Sequence, residues 1–289
     1  GNLMTAVNVR KLQEKTLEIL VYFDTFCKEH NLTYFLCGGC LIGVERHKGF
    51  IPWDDDVDIF MPRKDYERLA VIWSKYNQKS RYVYCRTDRK HNYHDAGASI
   101  RDRSTTFINR HSINDDICHG IGIEIMPIDA CPDSRIRRCL QLFHAFVFSL
   151  FNVQRLPDNK GGLLRNMAKI MYFLVPSQNI RYKLWKYSEQ QMSKYSWEQC
   201  SKVTELIGAV KGMLIEHPKE DFDSVIRCDF EGYSLPVMRG YKEYLSKIWG
   251  DYMQLPPVES RVPKHDTIYI STTEPYEQFK GVYYCIKNE

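Results

Sequence analysis

The chain has 289 residues and a net charge of +4, with 44% hydrophobic and 26% charged residues. These ordinary globular proportions exclude a disordered or low-complexity chain, and 16 glycines plus 12 prolines without a period exclude a collagen-like one. No apolar run reaches the roughly 18–20 residues that span a bilayer, and residues 1–10 hold no basic region followed by an apolar core, so the expectation is a cytoplasmic chain without a signal peptide. The ten cysteines contain one C-x-x-C pair, Cys37 and Cys40, and read as reduced thiols rather than a disulfide framework.

In chain order, residues 7–29 read as a helix, with Val9, Leu12, Ile19, Leu20, Phe23 and Phe26 at three- and four-residue steps. A short β-prone stretch at 33–36 runs into Gly38-Gly39, and a helical turn follows at 41–45. Residues 57–61 alternate polar and apolar and read as a strand. Pro62 opens a helix to about residue 76. Strands are expected at 81–85, 98–101, 105–108 and 121–128. After Pro132 the pattern turns helical at 135–153, 163–175 and 179–195, while 203–210 is ambiguous. A short helix at 241–250 stops at Gly250, and 267–271 is β-like. This order predicts an α/β (α+β) protein. Its expected segments are a catalytic core at 1–132, a helical insertion or second lobe at 133–235, and a C-terminal segment at 236–289 that folds back on the active site.

Charge is regional. Between Arg135 and Lys186 stand ten basic residues against one acid, Asp158, a local +9 in a chain of +4. A chain-wide nucleic-acid footprint is not supported. The apolar run at 140–153 is too short to span a bilayer and reads first as a buried core helix; its basic flanks also suit peripheral contact with an anionic membrane, so contact with the inner face of the membrane is a further expectation.

The stretch GGCLIGVERHKGFIPWDDDVD, residues 38–58, carries the chemistry. Asp54, Asp55, Asp56 and Asp58 are four acids within five residues, and they repel one another unless a cation compensates. Asp56 and Asp58 lie two apart in a β-like stretch, so both carboxylates share a face and suit Mg²⁺ or Mn²⁺. Gly38 and Gly39 let backbone N–H groups approach an anion, with Arg46 or Lys48 adding charge. Glu124 stands alone among apolar residues in IGIEIM on a strand expected to be hydrophobic on both faces, and is the candidate third metal ligand. Asp129 competes, but it follows Pro127 at an expected strand end where water reaches it.

GGCLIGVERHKGFIPWDDDVDIFMPRKDYERL resembles the signature of the LicD family, phosphocholine transferases with a nucleotidyltransferase-type core that are distantly related to fukutin sugar-phosphate transferases. GIEIMPID at 122–129 is similar to the family's next block. Tyr244-Leu245 and WGDYMQLPP at 249–257, followed by Arg261 and His265, are similar to its C-terminal block. Cys40 departs from the small hydroxyl or Gly common there, and Glu124 from Asp. The resemblance implies a nucleotidyltransferase-like mixed sheet and transfer of phosphocholine, or a related aminoalcohol phosphate, from CDP-choline to a sugar hydroxyl. The acceptor would be a cell-surface glycan precursor, lipid-linked or not, of lipopolysaccharide or teichoic acid type, and CMP would leave. It implies metal on Asp56, Asp58 and Glu124, nucleotide contacts from Gly38, Gly39, Arg46, Lys48 and Arg261, and His265 as a candidate base. Trp53, Tyr252 and Tyr269 are aromatic candidates for the choline ammonium. A true nucleotidyltransferase releasing pyrophosphate and a non-catalytic binding homologue are the alternatives.

Overall fold

The computed structural model describes residues 6–151, 162–263 and 266–287. Its elements run α1 (Ala6–Glu29), β1 (Phe35–Cys37), α2 (Gly38–His47), β2 (Asp58–Pro62), α3 (Arg63–Tyr76), β3 (Tyr82–Arg86), β4 (Ala98–Asp102), β5 (Thr106–Asn109), β6 (Ile121–Cys131), α4 (Arg135–Phe151), α5 (Leu163–Leu174), α6 (Gln178–Met192), β7 (Lys202–Thr204), α7 (Val210–Leu214), β8 (His217–Pro218), β9 (Val225–Phe230), β10 (Tyr233–Met238), α8 (Tyr241–Trp249) and β11 (Thr267–Ser271). Helices and a mixed sheet make it the α/β protein that the pattern predicts. Two compact units form. One comprises residues 1–85, 98–126 and 220–289, the other residues 86–97 and 127–219.

In the first unit the strands lie in the order β1-β2-β6-β4-β3. β1 and β2 pair antiparallel with Cys37 opposite Asp58, and β4 pairs antiparallel with β6, with Ser99 opposite Glu124. α1 buries Val9, Leu12, Ile19, Leu20 and Phe23, the stripe its periodicity predicts. α3 follows directly from β2, with Pro62 as its N-cap residue. Phe35, Phe60, Phe222 and Tyr244 form an edge-to-face aromatic chain that joins β1 and β2 to α8.

Residues 225–238 carry no strand prediction from the sequence, which places most of them in the helical segment at 133–235, yet β9 and β10 form an antiparallel hairpin there. Its two-residue turn, Glu231-Gly232, has φ of 52° and 80°, the primed geometry that matches strand twist. Glu231 then acts as a clasp. Its backbone N–H donates to the Lys48 carbonyl, while its carboxylate accepts from Phe50 N at 3.0 Å and from Arg10 Nη2 at 2.9 Å. β11 pairs with β5, as the β-like stretch at 267–271 suggests.

In the second unit α4, α5 and α6 close on Ala145, Phe148, Phe151, Trp185 and Met192. Arg138 is buried and fully engaged. It donates to Gln141 Oε1 at 2.9 Å and to the Met213 carbonyl at 2.6 Å, and it pairs with Glu216 at 3.2 Å. Glu189, also buried, pairs with Arg86 at 3.0 Å and Lys186 at 3.3 Å. Two cations of the basic window are thus spent inside the unit. The last residues of β6 pair with β7, Asp129 opposite Thr204. This corrects the reading of Asp129 as a water-accessible strand end: the strand continues to Cys131, and Asp129 is only 1% exposed. All ten cysteines are free thiols, seven of them buried.

Candidate functional site

The acidic run is a turn held from outside. Asp54 N–H donates to the Ile51 carbonyl at 2.9 Å, which closes the turn. Gln13, 3% exposed on the core face of α1, donates from Nε2 to the carbonyls of Ile51, Pro52 and Asp54 at 3.2, 3.4 and 2.8 Å. One amide thereby ties three carbonyls of the turn to the first helix. Its signal in the sequence is a polar residue inside an apolar stripe, between Leu12 and Thr16.

The turn delivers a knot of negative charge. Carboxylate oxygens of Asp54, Asp55 and Asp56 lie within 4.8 Å of one another, and among the described residues no other three acidic, His or Cys side chains come so close. Asp55 is buried, Asp54 and Asp56 half-buried. Burial, then the Asp56 charge and hydrogen bond, then the Asp55 and Asp58 charges push the Asp54 carboxyl up to about 8. Hard oxygen ligands crowded so that one retains a proton fit a divalent cation, which would replace the proton and relieve the repulsion. The sequence reading centred on Asp56 and Asp58 and left Asp54 out of the set, although the run WDDDVD contains it.

Gly38 and Gly39 open α2 directly from β1. A Cβ on Gly39 would stand 2.0 Å from Asp54 Oδ2, and one on Gly38 3.3 Å from Asp58 Oδ2; Gly38 also has φ of 56°. The glycines were expected to admit an anion. The anions that approach them are the protein's own Asp54 and Asp58 carboxylates, set against the positive end of α2. The Cys40 thiol, fully enclosed behind them, lies 3.9 Å from the Asp56 carbonyl, and burial with the nearby carboxylates pushes its pKa well up. Cys40 is therefore an inert neutral wall.

Glu124 sits on the strand beside β2, its N–H donating to the Val57 carbonyl at 2.9 Å, level with the residue between Asp56 and Asp58. Burial alternates here. Buried Val57 and Ile59 alternate with half-buried Asp56 and Asp58, and buried Ile121, Ile123 and Ile125 with half-buried Gly122, Glu124 and Met126. The strand is thus not apolar on both faces as expected. Glu124 shares its face with Ser99 and Arg101 of β4, where Arg101 Nε donates to Ser99 Oγ at 2.9 Å. Glu124 does not join the tight Asp54–Asp56 group.

The predicted cations divide. Arg261 comes to the acidic turn, its guanidinium 5.7 Å over the Trp53 ring and its Nε donating to the Pro256 carbonyl at 3.0 Å. Arg46 and Lys48 lie at the other end of α2, about 12 and 15 Å along the axis from Gly38 at 1.5 Å per residue. Arg46 Nε donates to the Tyr252 carbonyl at 2.7 Å, and its Nη1 is buried without a hydrogen-bond partner among the described residues. Lys48 is exposed and caps the helix in the left-handed conformation, φ 48°. Tyr241 of α8 donates its hydroxyl to Glu45 of α2. Tyr252 contributes its backbone to Arg46. Tyr269 stacks on Tyr283 at 4.7 Å and donates to Glu274 at 2.6 Å, so its ring is already occupied. His265 lies outside the described residues.

The arrangement is an acidic, metal-competent turn against a helix N-terminus, with a cation stacked beside it. That is the equipment of phosphoryl transfer, in which positioning and charge neutralisation do most of the work. Comparison with known proteins agrees. The LicD/FKTN/FKRP nucleotidyltransferase-domain family matches residues 31–115, which contain Gly38, Gly39 and the whole acidic run. The chain is 31% identical over 268 residues to the lipopolysaccharide cholinephosphotransferase LicD of Haemophilus influenzae, covering 91% of this chain and 97% of that protein. Uncharacterised proteins of Rickettsia prowazekii and Rickettsia typhi are 33% and 32% identical over 73 residues, a quarter of this chain. With a family signature over its acidic centre and a similarity running nearly end to end, this chain belongs to the LicD family.

Proposed function

We propose that the protein transfers phosphocholine, or a closely related aminoalcohol phosphate, from its CDP ester to a sugar hydroxyl of a cell-surface glycan precursor, with release of CMP. The observation that carries this reading is the similarity to a lipopolysaccharide cholinephosphotransferase along 91% of the chain, the acidic centre included. Asp54, Asp56 and Asp58 would hold Mg²⁺ or Mn²⁺, with Glu124 on the neighbouring strand as a further ligand. When bound, the cation neutralises the diphosphate and makes its phosphorus more electrophilic.

The chain's own groups do the rest. Gln13 and Gly39 fix where the Asp54 carboxylate can stand. Arg261, held over Trp53, presents positive charge to the donor's phosphates. The acceptor oxygen attacks the choline-bearing phosphorus, the bond to the CMP oxygen breaks, and CMP leaves with the electron pair. The acceptor's proton goes to a carboxylate oxygen of the acidic turn or to the His265 imidazole.

The test is to incubate the chain with CDP-choline and with CTP, scoring CMP and pyrophosphate. CMP release that needs Mg²⁺ and disappears in Asp56→Asn and in Asp58→Asn is expected. Pyrophosphate release from CTP would replace this reading with nucleotidyl transfer. Mass spectrometry of the surface glycan from a deletion strain identifies the acceptor and tells choline from ethanolamine.

A further inference from the structure

A helix apolar on all sides belongs in a core or against a non-aqueous surface. α5 is apolar around most of its circumference: its 12 residues include three polar ones, Arg165, Asn166 and Lys169, which fall within one arc of about 100°. One side is used by the second unit. Ala168 is buried, and Met171, Tyr172 and Val175 pack on the cluster around Phe148 and Trp185. Tyr172 stacks on Phe151 and donates to its carbonyl at 2.6 Å, which seats the helix. The opposite side has no cover among the described residues: Leu163 is 75% exposed, Ile170 60%, Phe173 83% and Leu174 64%. At 100° per residue these four fall within one arc of about 100°, which also holds Asn166, with Lys169 and Arg165 along its edge. Ile180 and the Arg181 guanidinium, 4.7 Å over the Tyr172 ring, extend the border.

We propose that this outer face of α5 docks on an anionic lipid leaflet, lying in the plane of the interface with Phe173, Ile170 and Leu174 at the acyl boundary. Length fixes the mode. Twelve residues make a helix of about 18 Å, against a hydrocarbon core of about 30 Å, so α5 lies on a membrane and does not cross it. Charge fixes the partner. From Leu163 to Lys183 the chain has four cations (Arg165, Lys169, Arg181 and Lys183) and no acid. A second copy seated symmetrically on this face would bring those cations against their equivalents, which like-charge repulsion opposes. A leaflet of acidic headgroups answers both the apolar stripe and its basic border. The inference does not depend on which phosphoester the acidic centre handles.

The test uses the full chain in co-sedimentation with vesicles of phosphatidylcholine alone and of phosphatidylcholine with phosphatidylglycerol, at about 50 and about 500 mM salt, where screening differs severalfold. Binding to the anionic vesicles at low salt, loss at high salt and little binding to neutral vesicles are expected. Ile170→Gln with Phe173→Gln should weaken that binding about tenfold or more, given what burying two large apolar side chains contributes. Both positions are exposed, so circular dichroism should be unchanged, and Val71→Gln, at an exposed position of the first unit, should bind as wild type. Lys169→Gln with Lys183→Gln should flatten the salt dependence while leaving the apolar stripe intact. No sedimentation with anionic vesicles at low salt, or equal binding by the Ile170/Phe173 variant, overturns the proposal. Self-association without lipid that this variant abolishes would also overturn it and assign the face to a second copy.

Discussion

Gly39→Ala separates the site from the fold more cleanly than a change to any of the acids. In an ordinary helix interior the substitution stabilises by about 1 kcal/mol, because alanine loses less backbone freedom than glycine. Here the new Cβ would stand 2.0 Å from Asp54 Oδ2, more than 1 Å inside van der Waals contact. Asp54 cannot simply swing aside, since Gln13 holds its backbone and Asp55 and Asp56 crowd its carboxylate. Overpacking of this kind costs about 1–3 kcal/mol, so the two terms leave a net loss of roughly 0–2 kcal/mol. The carboxylate still has to move by about 1 Å, and a displacement of that size at a reacting centre lowers the rate on the order of a hundredfold. CMP release should therefore fall by about that factor while the thermal midpoint drops only a few degrees. Gly43→Ala is the contrast. Its Cβ would stand 2.1 Å from the Gly49 carbonyl oxygen, a backbone atom, so stability should suffer first. Near wild-type turnover in Gly39→Ala would refute the placement of Asp54 in the centre.

The acidic turn also makes a pH prediction. The folded chain holds a proton there to about pH 8, which the unfolded chain, with carboxyls near 3.8, has released; the folded state therefore binds more protons in this window, and the turn's contribution to metal-free stability falls as pH rises through it, by up to about 1.4 kcal/mol per pH unit. Mg²⁺ held by these carboxylates would displace that proton, so on the proposed assignment its effect on the thermal midpoint should be larger at pH 8 than at pH 6, and a larger effect at pH 6 would contradict it. Gln13→Leu keeps the volume near α1 but frees three carbonyls of the turn, and should weaken Mg²⁺ binding in calorimetry with a loss of about 1–3 kcal/mol in denaturant stability. Glu124→Gln should reduce turnover more than Asp129→Asn, whereas Asp129→Asn, at a 1% exposed position, should cost more stability; turnover and urea midpoints of both variants decide.

Elements with a clean period were legible. α1, α3 and β2 fall within a residue or two of their expected bounds because apolar spacing and Pro62 set them locally. The β9–β10 hairpin was not legible, since its turn places Glu231 in a left-handed conformation that glutamate seldom adopts and the clasp that stabilises it comes from Arg10 and Phe50. The acidic run and the glycine pair were visible as candidates from their types and order, and Arg261 from the family resemblance; the structure brings Gly39 against Asp54 and Arg261 over Trp53. What the sequence could not give was mutual distance. Arg46 and Lys48 are close to Gly38 in number, but a ten-residue helix carries them to its far end. Asp129 shows the same limit for burial: Pro127 looks like a strand end, but the backbone continues past it and pairs with β7.

The contacts around the acidic turn bear on the order in which the chain becomes competent during synthesis. The Gln13 clamp links groups 41 residues apart or fewer, so it can close early. The Arg46–Tyr252 hydrogen bond spans 206 residues. At roughly 5–20 residues per second a ribosome needs roughly 10–40 s to make that stretch. For that interval the nascent chain carries a finished acidic turn whose far helix end and Trp53 lack their partners from the C-terminal block. A centre assembled from such distant pieces is a property of the folded whole, and a product cut before Tyr252 would keep the acids and lose the contacts that frame them.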